Sequence, residues 1–383
     1  MTGRNKNLDL VRALAILMVL LFHTAQMLDL QDSPIWHVVQ AGKAGVDLFF
    51  VLSGFLIGGL YWRERLEFGN VHGARFILRR ALRTMPPYFV ALLISWLAVH
   101  AVRGDAFDPR YLCFLQNYYE RIPYFLVSWS LCIEEHFYVL LPFVLGIICL
   151  GKVRMARVVL PLLALAPGIL RCYQYRASMS QDFGYSWTAT HLRCEGLILG
   201  VFAAYLVQYH RNRMEALLRA KVPIYCAAVG FAVAMPLLPA ALSYTAGYSV
   251  LSVLLTLSVL VCALDRPYRL SAVRLTGGLA VASYSMYLTH PFAIHACLRS
   301  YRLLPGCAVL GKWSLMLLAI IAAGSAYYWL VERPSFWLRD QLVRRRRPRA
   351  VGTPASTPGA AHSELEARTA SDSDAPLVKS GQR

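Results

Sequence analysis

Charge is scarce in this chain, and acid is scarcer still. Only 16% of its 383 residues are Asp, Glu, Lys or Arg, and 21 acids stand against 39 Lys and Arg. A soluble domain carries about 25% charged residues, so the shortage excludes an ordinary water-soluble enzyme. The nine cysteines form no C-x-x-C pair and no Cys/His spacing, which leaves them as small apolar residues and implies no metal. No fixed-period repeat is visible, which excludes a solenoid and offers no inverted repeat of the kind transporters carry. A cleavable leader is not expected, since the first apolar run is long, holds two polar groups and lacks a small-x-small site.

What is present is hydrocarbon. The chain is 57% hydrophobic with a mean hydropathy of +0.47, the balance of a polytopic membrane protein. Apolar runs long enough to cross a bilayer fall at 8–28, 44–61, 85–102, 129–150, 156–172, 191–208, 222–238, 246–263, 277–297 and 309–331. The expectation is an all-α bundle of about ten transmembrane helices. The net charge of +18 reports topology rather than nucleic acid. With a cytoplasmic N-terminus, the inner segments hold 25 Lys and Arg and the outer segments 9, the asymmetry expected when both termini are cytoplasmic. Residues 1–340 read as one membrane domain. Residues 341–383 read as a basic anchor, Arg344–Arg347, followed by a tail too poor in apolar residues to pack, with no soluble enzyme domain attached.

Ionisable residues inside the runs are functional candidates because lipid makes them costly. Arg12 and His23 share one face of the first helix about 16 Å apart. His23, Asp47, Glu134, Glu135, Arg193, Glu195 and His290 all fall at a similar depth near the outer face. A shared polar chamber would explain them, with His23 as a general base oriented by Asp47, Glu134 or Glu135. Blander readings stand beside this one. His290 and His191 suit structural hydrogen bonds at helix ends, Arg12 and Asp9 suit an interfacial ion pair, and Arg193 and Glu195 suit partners on other spans.

Arg79, Arg80 and Arg83 crowd a short helix expected to end at Pro86-Pro87. They read either as a topology signal or as a cradle for phosphates. The extended thiol arm of a coenzyme is of the same order as the Arg12–His23 separation, which favours phosphate.

Five pieces, in order, now carry a resemblance: Arg12-x10-His23; Gly45-Val46-Asp47 through Ser53-Gly54-Phe55-Leu56; Arg79-Arg80-x-x-Arg83-x-x-Pro86; Trp129-Ser130 through Glu134-Glu135-His136; and Tyr284-Ser285-Met286-Tyr287-Leu288-Thr289-His290-Pro291 with Val331-Glu332-Arg333-Pro334. Together they resemble the membrane-bound acyltransferase-3 family, which includes bacterial polysaccharide and lipopolysaccharide O-acetylases. The resemblance implies about ten helices in the bacterial cytoplasmic membrane, an acyl-CoA donor (usually acetyl-CoA) and transfer to a carbohydrate hydroxyl. It implies that Arg12 and His23 form the arginine–histidine motif, that Arg80 and Arg83 lie near the donor, and that Glu134 or Glu135 is the acidic position. His136 departs from the expected glutamine. Acylation of a small natural product, such as a macrolide, and secondary transport are the alternatives; release of coenzyme A separates transfer from transport.

Overall fold

The computed structural model describes residues 5–119, 122–178, 187–301 and 309–345, and no strand occurs among them. Residues up to Arg339 form one compact unit, and the chain from Asp340 onward is a second. Arg346, Arg347 and the tail beyond them lie outside the described residues.

Ten helices of 14 to 31 residues make the first unit: α1 Lys6–Met27, α2 Ala44–Phe68, α3 Gly73–Arg103, α4 Trp129–Gly151, α5 Ala156–Ser178, α6 Glu195–Tyr209, α7 Lys221–Ala234, α8 Tyr248–Leu264, α9 Arg274–Tyr301 and α10 Val309–Tyr327. Among the described residues, eight helical runs are long and apolar enough to cross a membrane. The chain is therefore an all-α, multi-pass membrane bundle. The two helices outside that set have clear reasons. With 15 residues, α6 spans only about 22 Å at 1.5 Å per residue. In α9, buried Thr276, Ser283, Ser285, Thr289 and His290 lower the hydropathy because this helix faces protein rather than lipid.

Local chemistry sets the ends. The Asn5 side chain caps α1 by accepting from the backbone N–H of Asn7 at 3.0 Å. Asn7 in turn donates to the carbonyls of Cys262 at 3.1 Å and Arg266 at 3.0 Å and accepts from the N–H of Tyr268 at 2.9 Å. One amide thus joins the start of α1 to the unpaired carbonyls that end α8. Beyond α8, burial alone would raise the Asp265 carboxyl, but hydrogen bonds from Tyr268 and Lys221 outweigh it and hold the group below the usual range.

The expected stop at Pro86-Pro87 is corrected: α3 runs through both prolines. Two carbonyls close to the prolines also accept from side chains of other helices, Tyr284 donating to Thr84 at 2.8 Å and Tyr327 to Pro87. The arginine segment and the span after it are one helix.

Small residues decide which helices meet. Gly54 and Gly58 on α2 face Gly196 and Gly200 on α6, two small-xxx-small ridges in contact. A Cβ at Gly54 would lie 2.1 Å from the Leu197 carbonyl oxygen, and one at Gly200 would lie 2.2 Å from that of Val51. Around this α2–α6 pair, α1 packs on α2 and α9, α8 packs on α2, α6 and α7, and α10 packs on α9. α3 touches α4, α9 and the turn Tyr328–Glu332. Space remains between α3 and α4 on one side and α1 and α2 on the other.

Candidate active site

That space is a cavity of about 1230 Å³, larger than the ~300–1,000 Å³ of common ligand pockets. Its mouth is polar, with Lys6, Asp9 and Arg12 of α1, Arg63 of α2, and Asp265 and Arg269 beyond α8. Inward, the wall passes Arg80, Arg83 and Thr84 of α3, Ser53 of α2 and Glu134 of α4, then reaches Phe49, Ser130 and Tyr287.

Helical spacing explains the arginines. Positions 80, 83 and 84 share one face of α3, whereas Arg79 is turned about 100° away. Its nearest acid is Glu64 at 3.8 Å, its side chain is 40% exposed, and it does not line the cavity. The expected three-arginine cradle is corrected to Arg80 and Arg83, joined by Arg12.

Arg80 lies in a polar knot. Its Nη2 donates to Tyr138 Oη at 2.6 Å, Tyr138 donates to Glu134 Oε2 at 2.6 Å, and Ser53 donates to the same carboxylate oxygen at 3.3 Å. Ser53 and Tyr138 also touch through their hydroxyls, and the guanidinium lies 4.3 Å from the centre of the Tyr138 ring. The buried Nε of Arg80 has no hydrogen-bond partner. Arg83 and Arg12 both act electrostatically on Glu332, whose carboxylate accepts from Ser285 at 2.6 Å. Arg12 lies 3.7 Å from Asp9. The wall therefore offers the guanidinium groups of Arg12 and Arg83, donors that suit phosphate.

The expected pairing of His23 with an acid is corrected. Its Nδ1 bonds the Val19 carbonyl at 2.9 Å; a carbonyl only accepts, so Nδ1 carries the hydrogen and Nε2 keeps a lone pair. The adjacent imidazole is that of His290, with ring centres 4.9 Å apart, and Lys43 is the charge it feels. Asp47 is turned to Arg193, at 2.8 Å, and that guanidinium lies 3.7 Å from the centre of the Tyr248 ring. Glu195 pairs with Arg171 at 2.9 Å and accepts from Ser249 at 2.9 Å. Buried charge is costly alone, and these two pairs close on each other across the bundle as a brace. Glu135 accepts from Thr84 at 2.6 Å and does not line the cavity.

The single chamber expected at one depth is thus three places. Arg12, Arg80, Arg83 and Glu134 line the cavity; Asp47, Arg193 and Glu195 belong to the brace; and His23 lies past the deep end. Tyr287 forms that end wall, its ring centre 5.6 Å from that of His290. Sequence reasoning missed Ser53, Thr84, Tyr138, Arg171 and Glu332. Tyr138 carried a usable signal, four residues after Glu134 on one helix; the other four depend on which helices meet.

The match with known proteins covers the same extent of chain. The family profile described as "Acyltransferase domain" matches residues 5–337. A protein of Staphylococcus aureus (strain COL), provisionally named an O-acetyltransferase, is 26% identical over 216 residues, 52% of this chain and 34% of its own length. One of Bacillus subtilis (strain 168), provisionally named a peptidoglycan O-acetyltransferase, is 28% identical over 238 residues, 55% of this chain and 35% of its own. One of Komagataeibacter xylinus, provisionally named a membrane-bound transacylase, is 29% identical over 199 residues, 47% of each chain. The matched part is less than half the length of these relatives. No solved structure matches the chain. With the profile running from the cap of α1 to beyond Glu332, the chain belongs to the acyltransferase-3 family of membrane proteins.

Proposed function

We propose that this protein is an O-acyltransferase that moves an acyl group, acetyl in the first instance, from acyl-CoA to a hydroxyl of a cell-envelope carbohydrate. The observation that carries the proposal is the cavity lined by Arg12, Arg80 and Arg83, whose wall at Tyr287 is one ring, that of His290, away from His23. Arg12 and Arg83 would hold the donor's phosphates, with Arg80 fixed beside them by Tyr138 and Glu134. The acyl arm would run past Ser53 and Phe49 toward Tyr287. His23 Nε2 would take the proton of the acceptor hydroxyl as its oxygen bonds the thioester carbonyl carbon; the C–S bond then breaks and the proton passes to the departing thiolate. The names of the relatives support an envelope polymer as acceptor.

The charge asymmetry supports a cytoplasmic mouth, with both termini inside, ten crossings of a bacterial cytoplasmic membrane, and delivery of the donor from within the cell. The deciding experiment incubates the purified full chain in lipid nanodiscs with acetyl-labelled acetyl-CoA and envelope glycans. Stoichiometric thiol release and label transfer are expected. Unchanged donor with uptake of labelled solute by proteoliposomes would instead favour transport.

A further inference from the structure

The cavity mouth holds more positive charge than the proposed transfer uses. Lys6, Arg63 and Arg269 line it, all three are exposed, and among the described residues none of them is ion-paired. The two acids on the same rim are already engaged. Asp9 lies 3.7 Å from Arg12, and Asp265 pairs with Lys221 at 2.9 Å and accepts from Tyr268 at 2.6 Å. Basic residues at this end of the bundle suit a cytoplasmic face. A topology anchor needs no cavity to face, however, whereas these three residues border one.

Hydrogen bonds fix the segment that carries one of them. Asn7, the neighbour of Lys6, donates to the carbonyls of Asp265 at 3.3 Å and Arg266 at 3.0 Å and accepts from the Tyr268 N–H at 2.9 Å. The stretch that leads to Arg269 is thereby fastened to the start of α1, and Arg63 comes in from α2. Along α1, Lys6 precedes Arg12 by six residues, about 9 Å of helix. The rim thus lies outside the level of Arg12 by a distance that long basic side chains can largely span.

The chemistry of the donor supplies an anion for this rim. A coenzyme A thioester carries phosphate in two places: a diphosphate where the pantetheine arm begins, and a monoester on the ribose. With the arm directed inward and the diphosphate at Arg12 and Arg83, the ribose stays at the mouth. A phosphomonoester bears about 1.5–2 negative charges at pH 7 and takes charge-assisted hydrogen bonds from Lys and Arg. We infer that Lys6, Arg63 and Arg269 form a second anion subsite, which receives the ribose phosphomonoester of the donor. The inference rests on acyl-CoA being the donor and deepens that reading: the rim selects coenzyme A thioesters over thioesters that lack the monoester.

Equilibrium binding to the purified full chain in phosphatidylcholine nanodiscs tests this, because no anionic headgroup then competes for the rim and no acceptor is required. The probes are coenzyme A and 3′-dephospho-coenzyme A, each titrated calorimetrically into wild type, Lys6→Ala, Arg63→Ala, Arg269→Ala, the triple variant, Arg83→Ala and Arg266→Ala, once a monodisperse profile is confirmed. Wild type is expected to bind coenzyme A at least about tenfold more tightly than the dephospho form. Each single rim variant is expected to reduce that preference, and the triple variant to bring it to about twofold or less by weakening coenzyme A alone. Arg83→Ala is expected to weaken both probes alike and keep the preference, since it acts on the diphosphate they share. Arg266→Ala removes an equally exposed charge that does not line the cavity and is expected to keep it too. Equal affinity of wild type for the two probes, or an undiminished preference in the triple variant, would overturn the subsite while leaving the donor reading in place. Loss of the preference in Arg266→Ala would reduce the rim to a general field and overturn it as well. Binding of neither probe by wild type would remove the donor reading first, and the subsite with it.

Discussion

Single residues here divide by what they touch rather than by how polar they are. Arg83 and Arg80 are three apart on one helix, but Arg80 is tied to Tyr138 while Arg83 faces the cavity beside Arg12. Arg83→Ala is therefore expected to raise the donor KM about tenfold, with kcat recovered at saturating donor, read from thiol-release kinetics. Asp47 makes the opposite case. Asp47→Asn leaves the buried Arg193 charge unpaired, a change expected to cost about 3–5 kcal/mol of stability. A large fall in the melting temperature of the nanodisc-embedded variant is the expected readout, with turnover per folded molecule little changed. A normal melt with lost turnover would return Asp47 to the chemistry. The sequence marked Arg12, Arg80, Arg83 and Glu134 as candidates, and all four line the cavity, although it had placed Glu134 in a separate outer chamber. Asp47 was misread because depth along a helix says nothing about azimuth: it shares a level with His23 yet faces another helix.

At the level of elements, the apolar runs were readable almost to the residue where hydrocarbon length alone determines them, as in α1, α4 and α8. The stop expected at Pro86-Pro87 was misread, since α3 runs through both prolines. The short α6 owes its place to contact with α2 through opposed glycines. Gly200→Val is expected to separate that pair, because its Cβ would meet the Val51 carbonyl oxygen at 2.2 Å and backbone cannot give way cheaply. Loss of the monodisperse peak in detergent size-exclusion chromatography checks this, with Gly230→Val as a control, since a Cβ at Gly230 meets nothing within 4 Å.

For the whole molecule, the arrangement of charge makes a statement about sides. Residues 104–119, which follow α3, lie at the opposite end of the bundle from Lys6, Arg63 and the cavity mouth. The exposed Cys113 is on that segment. If the basic end is cytoplasmic, a membrane-impermeant maleimide added to intact spheroplasts is expected to label Cys113, as mass spectrometry of the excised band will show. Protection in spheroplasts with labelling only after lysis would invert the bundle and place the donor site outside. The division between arginine cavity and histidine pair also belongs to this scale, since no single helix contains both the wall at Tyr287 and the imidazole of His23.

Sequence alone determined that the chain is helical and membrane-embedded, because bilayer thickness, backbone hydrogen bonding and charge asymmetry act on each segment independently of its neighbours, while five ordered motifs carried the resemblance to the acyltransferase-3 family. Tertiary structure alone decided the partners: Asp47 with Arg193, Glu134 with Tyr138, and Tyr138 with Arg80. Buried polar groups bond to whichever donor or acceptor the packing brings within about 3 Å. Which helix comes that close is set by opposed glycines and ring stacking far along the chain.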